Sequence, residues 1–324
     1  MKAATVPAPP PRLELVERLG RGGMAEAWRA RWRAGPAVEE VCVKRARPGA
    51  SPAARAALFT EAGILARIHH PNVVGFRGVE RSPEGEPLLV LDLVEGADLG
   101  RLIEAARGSG EPFAPGVVAH VARELCAALA GAQTGLPGGV VHRDVTPHNV
   151  LVAASGRLRL ADFGLARAPS AALNAEPRRL AGKPRYLAPE QIRGCALDPR
   201  ADLHAVGLLA YELSSCRRPF HDQSAAEALA SLRAGRAPAL IDSLRGIPPG
   251  LASALRALVD PAPARRPADA VAAARVLEPW ADADAGRASL ARAAATARAR
   301  SSRPPHSYVG PAAPRARWTL EPYW

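Results

Sequence analysis

Gly20-Arg21-Gly22-Gly23-Met24-Ala25 falls between two segments that read as strands. Glycines let a hairpin come close to phosphates and offer them backbone N–H groups. By itself such a stretch is more often an ordinary turn. It precedes a strand and not a helix, which argues against a Rossmann dinucleotide site. Next, Val41-Cys42-Val43-Lys44 ends an apolar run on a lysine. Side chains alternate faces along a strand, so Lys44 can project with its alternating partners into a cleft. Glu61 follows in a segment that reads as a helix and can pair with Lys44 to hold its ammonium. Taken alone, a lysine at a strand end and a carboxylate on a helix need no function. The strongest signal is the string His142-Arg143-Asp144-Val145-Thr146-Pro147-His148-Asn149, followed by Asp162-Phe163-Gly164 and then by Ala188-Pro189-Glu190.

The elements that must carry these residues fall into two groups. From Leu13 to Asp92 five short runs read as strands: LELVERLG, AEAWRARW, VEEVCVKR, NVVGFRGV and PLLVLDLV. One helical segment, SPAARAALFTEAGILARIHH, interrupts them; it has i, i+3, i+4 apolar spacing and a Ser-Pro cap signal. Beyond Gly96 helical patterns dominate, as in GVVAHVARELCAALAGA and RADLHAVGLLAYELSS, with strand signals only around Val140, Leu151 and Leu158. The expected organisation is a flexible Pro-rich extension over 1–12, a sheet-rich part over 13–94, a helical part over 95–280 and a basic tail over 281–324. The tail's Ala, Arg, Ser and Pro composition predicts disorder.

Composition narrows the classes. The 324 residues suffice for two ordinary domains, and 48% of them are apolar, enough for a sizeable core. The net charge of +12 would suit an acidic partner, but no nucleic-acid recognition module accompanies it, so a solvated Arg-rich surface is the expected reading and nucleic acid is not expected as a partner. The four cysteines, Cys42, Cys126, Cys195 and Cys216, lie far apart with no CxxC pair, which predicts free thiols and a reducing, cytoplasmic compartment. The segment MKAATVPAPPPRL lacks the apolar stretch of a signal peptide, and no run reaches about 18 apolar residues, so neither a leader nor a membrane span is expected.

Together, and in this order, the Gly-rich loop, VCVK, HRD…N, DFG and APE motifs resemble the eukaryotic-like (Hanks-type) protein kinase family. The resemblance covers Leu13 to Leu277, and the GxGGMA and HPNVV wording looks most like the bacterial serine/threonine branch. It implies an α+β, bilobal fold, with a small antiparallel-sheet N-lobe holding one helix and a larger helical C-lobe. It implies ATP and Mg²⁺ as cofactors and transfer of the γ-phosphate to serine or threonine hydroxyls of protein substrates, in a signalling role. By resemblance, Lys44 contacts the α- and β-phosphates and Glu61 steadies it. Asn149 and Asp162 become Mg²⁺ ligands, and Asp144 accepts or orients the proton of the attacking hydroxyl. The loop Gly20, Arg21, Gly22, Gly23, Met24 and Ala25 covers the phosphates. Leu19, Ala27, Cys42 and Leu151 wall the adenine pocket, with Leu91 preceding the hinge. Asp92 C=O and Val94 N–H pair with adenine, and Asp98 takes a ribose position. Glu190 with Arg266, and Asp202 toward the catalytic-loop backbone, are the expected scaffold contacts.

This chain departs from the family's pattern at informative places. Ala25 replaces the third loop glycine, a change of one methyl. Thr146 stands where serine/threonine kinases usually have lysine, and Lys183 stands where a threonine is usual. The two residues look exchanged, which would deliver the same ammonium from the opposite side and add Lys183 to the catalytic set; independent drift at both positions is the ordinary alternative. Ser170 is the only hydroxyl between Asp162 and Lys183, so loop phosphorylation is doubtful as an activation mechanism, with Glu176 available as a constitutive anion for Arg143. The rival to an active serine/threonine kinase is a pseudokinase serving as a nucleotide-binding scaffold; intact Lys44, Asp144, Asn149 and Asp162 argue against it.

Overall fold

Period-two alternation builds the first part of the molecule. A computed structural model describes residues 12–300 apart from 23–24, 35–36, 137, 168–182 and 197. The Pro-rich extension short of Arg12, the loop residues Gly23 and Met24, Ser170, Glu176 and everything after 300 therefore lie outside the described residues. The described residues divide into two compact units, one of the residues up to Ala66 with Phe76–Leu93, the other of Arg67–Gly75 with 94–300.

In the first unit β1 (Leu13–Arg21), β2 (Ala25–Ala34), β3 (Ala37–Ala46), β4 (Phe76–Arg81) and β5 (Pro87–Asp92) form one antiparallel sheet of order β1-β2-β3-β5-β4. Leu13, Ala30, Val41, Val43, Leu88 and Val90 are buried together on one face, flanked by Leu15, Trp28 and Trp32. The alternate residues of β3, Cys42 and Lys44, therefore point to the other face. There α1 (Pro52–Leu65) packs on β3, β4 and β5 and buries Leu58, Ala62 and Leu65. Ser51 caps α1 by accepting from Ala54 N at 3.3 Å, and Pro52 opens its first turn, as the Ser-Pro signal predicts.

The second unit is mostly helical: α2 (Leu99–Ser109), α3 (Pro115–Thr134), α4 (Pro189–Arg193), α5 (Arg200–Ser215), α6 (Ala225–Arg233), α7 (Ala237–Asp242), α8 (Pro249–Leu258), α9 (Ala270–Leu277) and α10 (Ala283–Arg300). A small sheet, β6 (Gly96–Asp98), β7 (Val150–Ala153) and β8 (Leu158–Leu160), carries the loops of interest. Every residue of α5 from Ala201 to Leu213 is buried, which makes it the central helix of this unit. Among the described residues no helix is long and apolar enough to cross a membrane.

Two expectations need correction. The NVVGFRGV run is not one strand: its first half turns to the second unit, where Val74 N donates to Leu160 O at 3.0 Å, Leu160 N donates to Asn72 O at 2.7 Å, and only Phe76 onward joins the sheet. The boundary thus falls between Leu93 and Val94, and 67–75 change sides. The expected disorder from 281 is also wrong as far as Arg300. Ala and Arg are strong helix formers, and α10 buries Leu290, Ala294 and Ala297 in one stripe against α2, α3, β6 and β7. Contact is close: a Cβ on Gly286 would lie 2.5 Å from the His120 ring, and one on Gly156 (φ +78) 2.0 Å from Arg287 O.

Candidate active site

Strand register collects the first group of candidates. Gly20 pairs with Ala27, Ala27 with Lys44 and Lys44 with Leu89, so one row crosses the sheet through three expected nucleotide residues. Gly22 N donates to Ala25 O at 2.8 Å and closes the loop over 23–24, while Leu19, Arg21 and Gly22 stand exposed. Lys44 Nζ lies 2.6 Å from Glu61 Oε2; the carboxylate is 1% exposed and the ammonium 16%. An acid that deeply buried persists as an ion only beside such a partner. Burial pushes the Cys42 thiol up to about 11, against the pull of Lys44, so it stays protonated. Asp92 ends β5, and its side chain accepts from Arg77 Nε at 2.6 Å, which leaves the role expected of it to its backbone carbonyl.

In the second unit Val94 leads into β6, and Asp98 pairs across the ladder with Leu151 of β7, so the expected ribose residue and one expected adenine wall are neighbours. Asp98 Oδ1 caps α2 at Arg101 N (3.2 Å) and meets His148 Nδ1 at 2.8 Å. Nothing in the sequence had singled out His148.

The loop from His142 to Asn149 hangs from α5. Asp202 accepts from His142 N (2.7 Å) and Arg143 N (2.9 Å), as expected, and Arg143 adopts left-handed backbone at φ 70. Burial pushes the Asp202 carboxyl up, opposed by His142 and by these two N–H donors. His142 Nδ1 accepts from Asp144 N at 3.3 Å, so its Nε2 is the nitrogen that donates to Ala161 O at 3.2 Å. The same ring stands edge-on to buried Phe163, centroids 4.5 Å apart, fixing the turn where Asp162 sits at φ 67. Asn149 Nδ2 donates to Asp144 Oδ2 (2.7 Å) and Asp144 O (2.8 Å), which leaves its amide oxygen available. Lys183 N donates to Asp144 Oδ1 at 3.2 Å, and Lys183 Nζ donates to Thr146 Oγ1 at 3.2 Å. The exchanged pair is therefore in contact. Burial lowers the Lys183 pKa, opposed by the carboxylates of Asp144, Asp98 and Asp162.

Around this centre the scaffold is ionic. Arg266 Nη1 and Nη2 reach Glu190 Oε1 and Oε2 at 2.6 and 2.9 Å, the pairing expected from sequence. The Tyr186 hydroxyl donates to the Glu212 carboxylate, which also faces Arg107 Nη2 at 3.5 Å. Arg185 Nη1 donates to Pro219 O at 2.9 Å and to Phe220 O, and Nη2 donates to Gln223 O at 2.6 Å. Long-range clasps of this kind leave no local signature, so sequence reading missed both. It also missed His204, wholly buried in α5 with neither ring nitrogen bonded.

A helical unit holding the Asp144–Asn149 loop and the Asp162 turn, with a sheet unit holding an ion-paired lysine, is the arrangement of protein kinases. Residues 13–278 match the protein kinase domain family, and the chain belongs to it. It is similar to serine/threonine-protein kinase PknL of Mycobacterium tuberculosis, 38% identical over 222 residues that cover 67% of this chain and 53% of the relative. It is also similar to serine/threonine-protein kinase Pkn1 of Myxococcus xanthus, 32% identical over 262 residues (79% of this chain, 36% of the relative). A third is serine/threonine-protein kinase PkaA of Streptomyces coelicolor, 36% identical over 230 residues (66% and 41%). The matches span about half or less of the length of these curated relatives. α10 lies beyond the matched family region.

Proposed function

We propose that this chain is an active serine/threonine protein kinase, moving the γ-phosphate of ATP to seryl or threonyl hydroxyls of protein substrates. The observation that carries the reading is the Asp144 carboxylate, oriented through Oδ2 by Asn149 and through Oδ1 by the Lys183 backbone. A carboxylate held at both oxygens is positioned to take the proton of an attacking hydroxyl. Lys44, tied to Glu61, meets the donor's phosphates; the hairpin from Gly20 to Ala25 offers them its N–H groups. Leu19, Ala27, Cys42, Val94 and Leu151 supply the apolar and backbone contacts for adenine, with Asp92 C=O, and Asp98 a ribose contact.

Asn149 and Asp162 offer hard oxygen donors, an amide oxygen and a carboxylate, and this donor set fits Mg²⁺, which takes few protein ligands and completes its shell with phosphates and water. When bound, the ion neutralises phosphate charge. Among the four free cysteines and the ion pairs of the site no observation favours the pseudokinase alternative, and free thiols suit a reducing, ATP-containing compartment such as the cytoplasm. Incubating purified protein with labelled ATP and Mg²⁺, beside Asp144→Asn, tests the reading. Labelled protein from the wild type alone is expected; equal labelling of both would refute Asp144, and no labelling of either would leave the scaffold reading.

A further inference from the structure

Lys183, in the segment ahead of α4, sets its ammonium 3.2 Å from Thr146 Oγ1 and within the field of the Asp144, Asp98 and Asp162 carboxylates, and that segment is itself held by side chains outside the 142–149 loop. Thr146, on the loop, is wholly buried and neutral, so it can orient the ammonium but cannot supply charge. The hold on Lys183 is indirect. It sits at the start of a short turn, Pro184–Tyr186, in which Tyr186 N donates to Lys183 O at 3.0 Å. Arg185 fixes that turn by donating to three backbone carbonyls of the 219–223 loop, and Tyr186 fixes it through Glu212. Phe220, one of the three clasped residues, sits in left-handed backbone at φ 51, a conformation its surroundings must enforce.

We infer that Lys183 is the protein-borne cation for the transferred phosphoryl group, and that Arg185 is the positioning residue that keeps it there. The inference rests on the kinase reading above. In the step, the substrate oxygen bonds to the γ-phosphorus and the bond from that phosphorus to the β,γ-bridging oxygen breaks. ADP leaves with the electron pair, and the hydroxyl proton passes to Asp144. Lys183 keeps its protons and offsets charge on the phosphoryl oxygens. Because the ammonium rides on the segment and not on the catalytic loop, displacing that segment withdraws the charge from the site, and the Arg185 clasp sets how much of the population is competent.

The test is single-turnover autophosphorylation with labelled ATP and Mg²⁺, with ATP affinity and thermal melting measured on each variant. Lys183→Ala should slow transfer by about tenfold or more with ATP affinity within about twofold, as for a contact made mainly in the transition state. Thr146→Lys with Lys183→Thr moves the ammonium to the loop and should recover most of the loss. Arg185→Ala should then slow the natural protein by about tenfold and the exchanged double variant by no more than about twofold, since coupling appears only where one residue acts through the other. An unchanged rate in Lys183→Ala, beside an active wild type, overturns the inference and leaves the kinase reading standing. So does a double variant no faster than the product of its singles. Equal losses from Arg185→Ala in both backgrounds overturn its positioning role. A wild type without transfer removes the kinase reading and this inference together.

Discussion

Glu190 and Arg266 meet in a two-pronged ion pair, 76 residues apart in the chain, with the guanidinium side chain fully buried. Arg266 also donates to Arg200 O at 2.9 Å and Asp260 O at 2.8 Å, so it joins the first turn of α4, the start of α5 and the loop after α8. Removing one partner strands a buried charge. Glu190→Gln should therefore destabilise the protein by about 3–5 kcal/mol, read as a lowered denaturation midpoint, and a loss below about 1 kcal/mol would show that the site relaxes or admits water.

The Lys44–Glu61 pair makes a different prediction, because 16% of the lysine side chain remains open to solvent. Lys44→Ala should abolish measurable phosphate transfer while melting cooperatively. Glu61→Gln keeps a hydrogen-bond acceptor and should reduce transfer less. If Lys44→Ala transfers phosphate at the wild-type rate, the lysine does not serve the phosphates.

His204 sets a pH dependence. Burial, and then the nearby Arg266 charge, push its pKa well below 6.5, and burial lowers His120 in the same direction. Below pH 6.5 the unfolded chain takes up a proton that the folded imidazole refuses, so stability rises with pH in that window and falls on acidification. The slope should approach about 1.4 kcal/mol per pH unit for one such group. Urea midpoints between about pH 5 and pH 8 check this, and His204→Leu should flatten the slope. A slope identical in both proteins would assign the acid sensitivity elsewhere.

α10 predicts an effect outside the matched family region. Leu290 is fully buried among residues of the second unit. Leu290→Ala should cost about 2–5 kcal/mol, and ending the chain at Asp282 should cost more by uncovering His120 and the β7–β8 turn. Hydrogen exchange in α3 and β7 is the readout; protection unchanged by the truncation would make α10 a passive appendage.

Legibility in the sequence followed the range of the interactions. β3 with Lys44 and the capped start of α1 carry local signatures, alternation and a Ser-Pro cap, while the loops bearing Asp144 and Asp162 were placed by motif order although distant Asp202 holds the first of them. The exchange of Thr146 and Lys183 was readable because both stand in motif positions, and the contact at 3.2 Å follows. Arg185, His148 and His204 were silent because their partners, or lack of them, are set only by folding. The α10 segment misled because Ala and Arg suit both a disordered tail and a helix, and burial against α2 and α3 decides between the two.

The left-handed backbone at Arg143 and Asp162 carries a consequence for how these positions tolerate change. A side chain costs roughly 1–2 kcal/mol in that region, least for asparagine and aspartate, so Arg143 is the ill-suited residue of the two and Asp162 still gives up what glycine would gain. A library of substitutions scored for folding alone should therefore enrich glycine and asparagine at 143 and 162 and reject valine and isoleucine there. The same library scored for phosphate transfer should reverse that order at Asp162, with glycine depleted although it folds better. Disagreement between the two rankings at a single position would mark where selection for chemistry has overridden selection for stability.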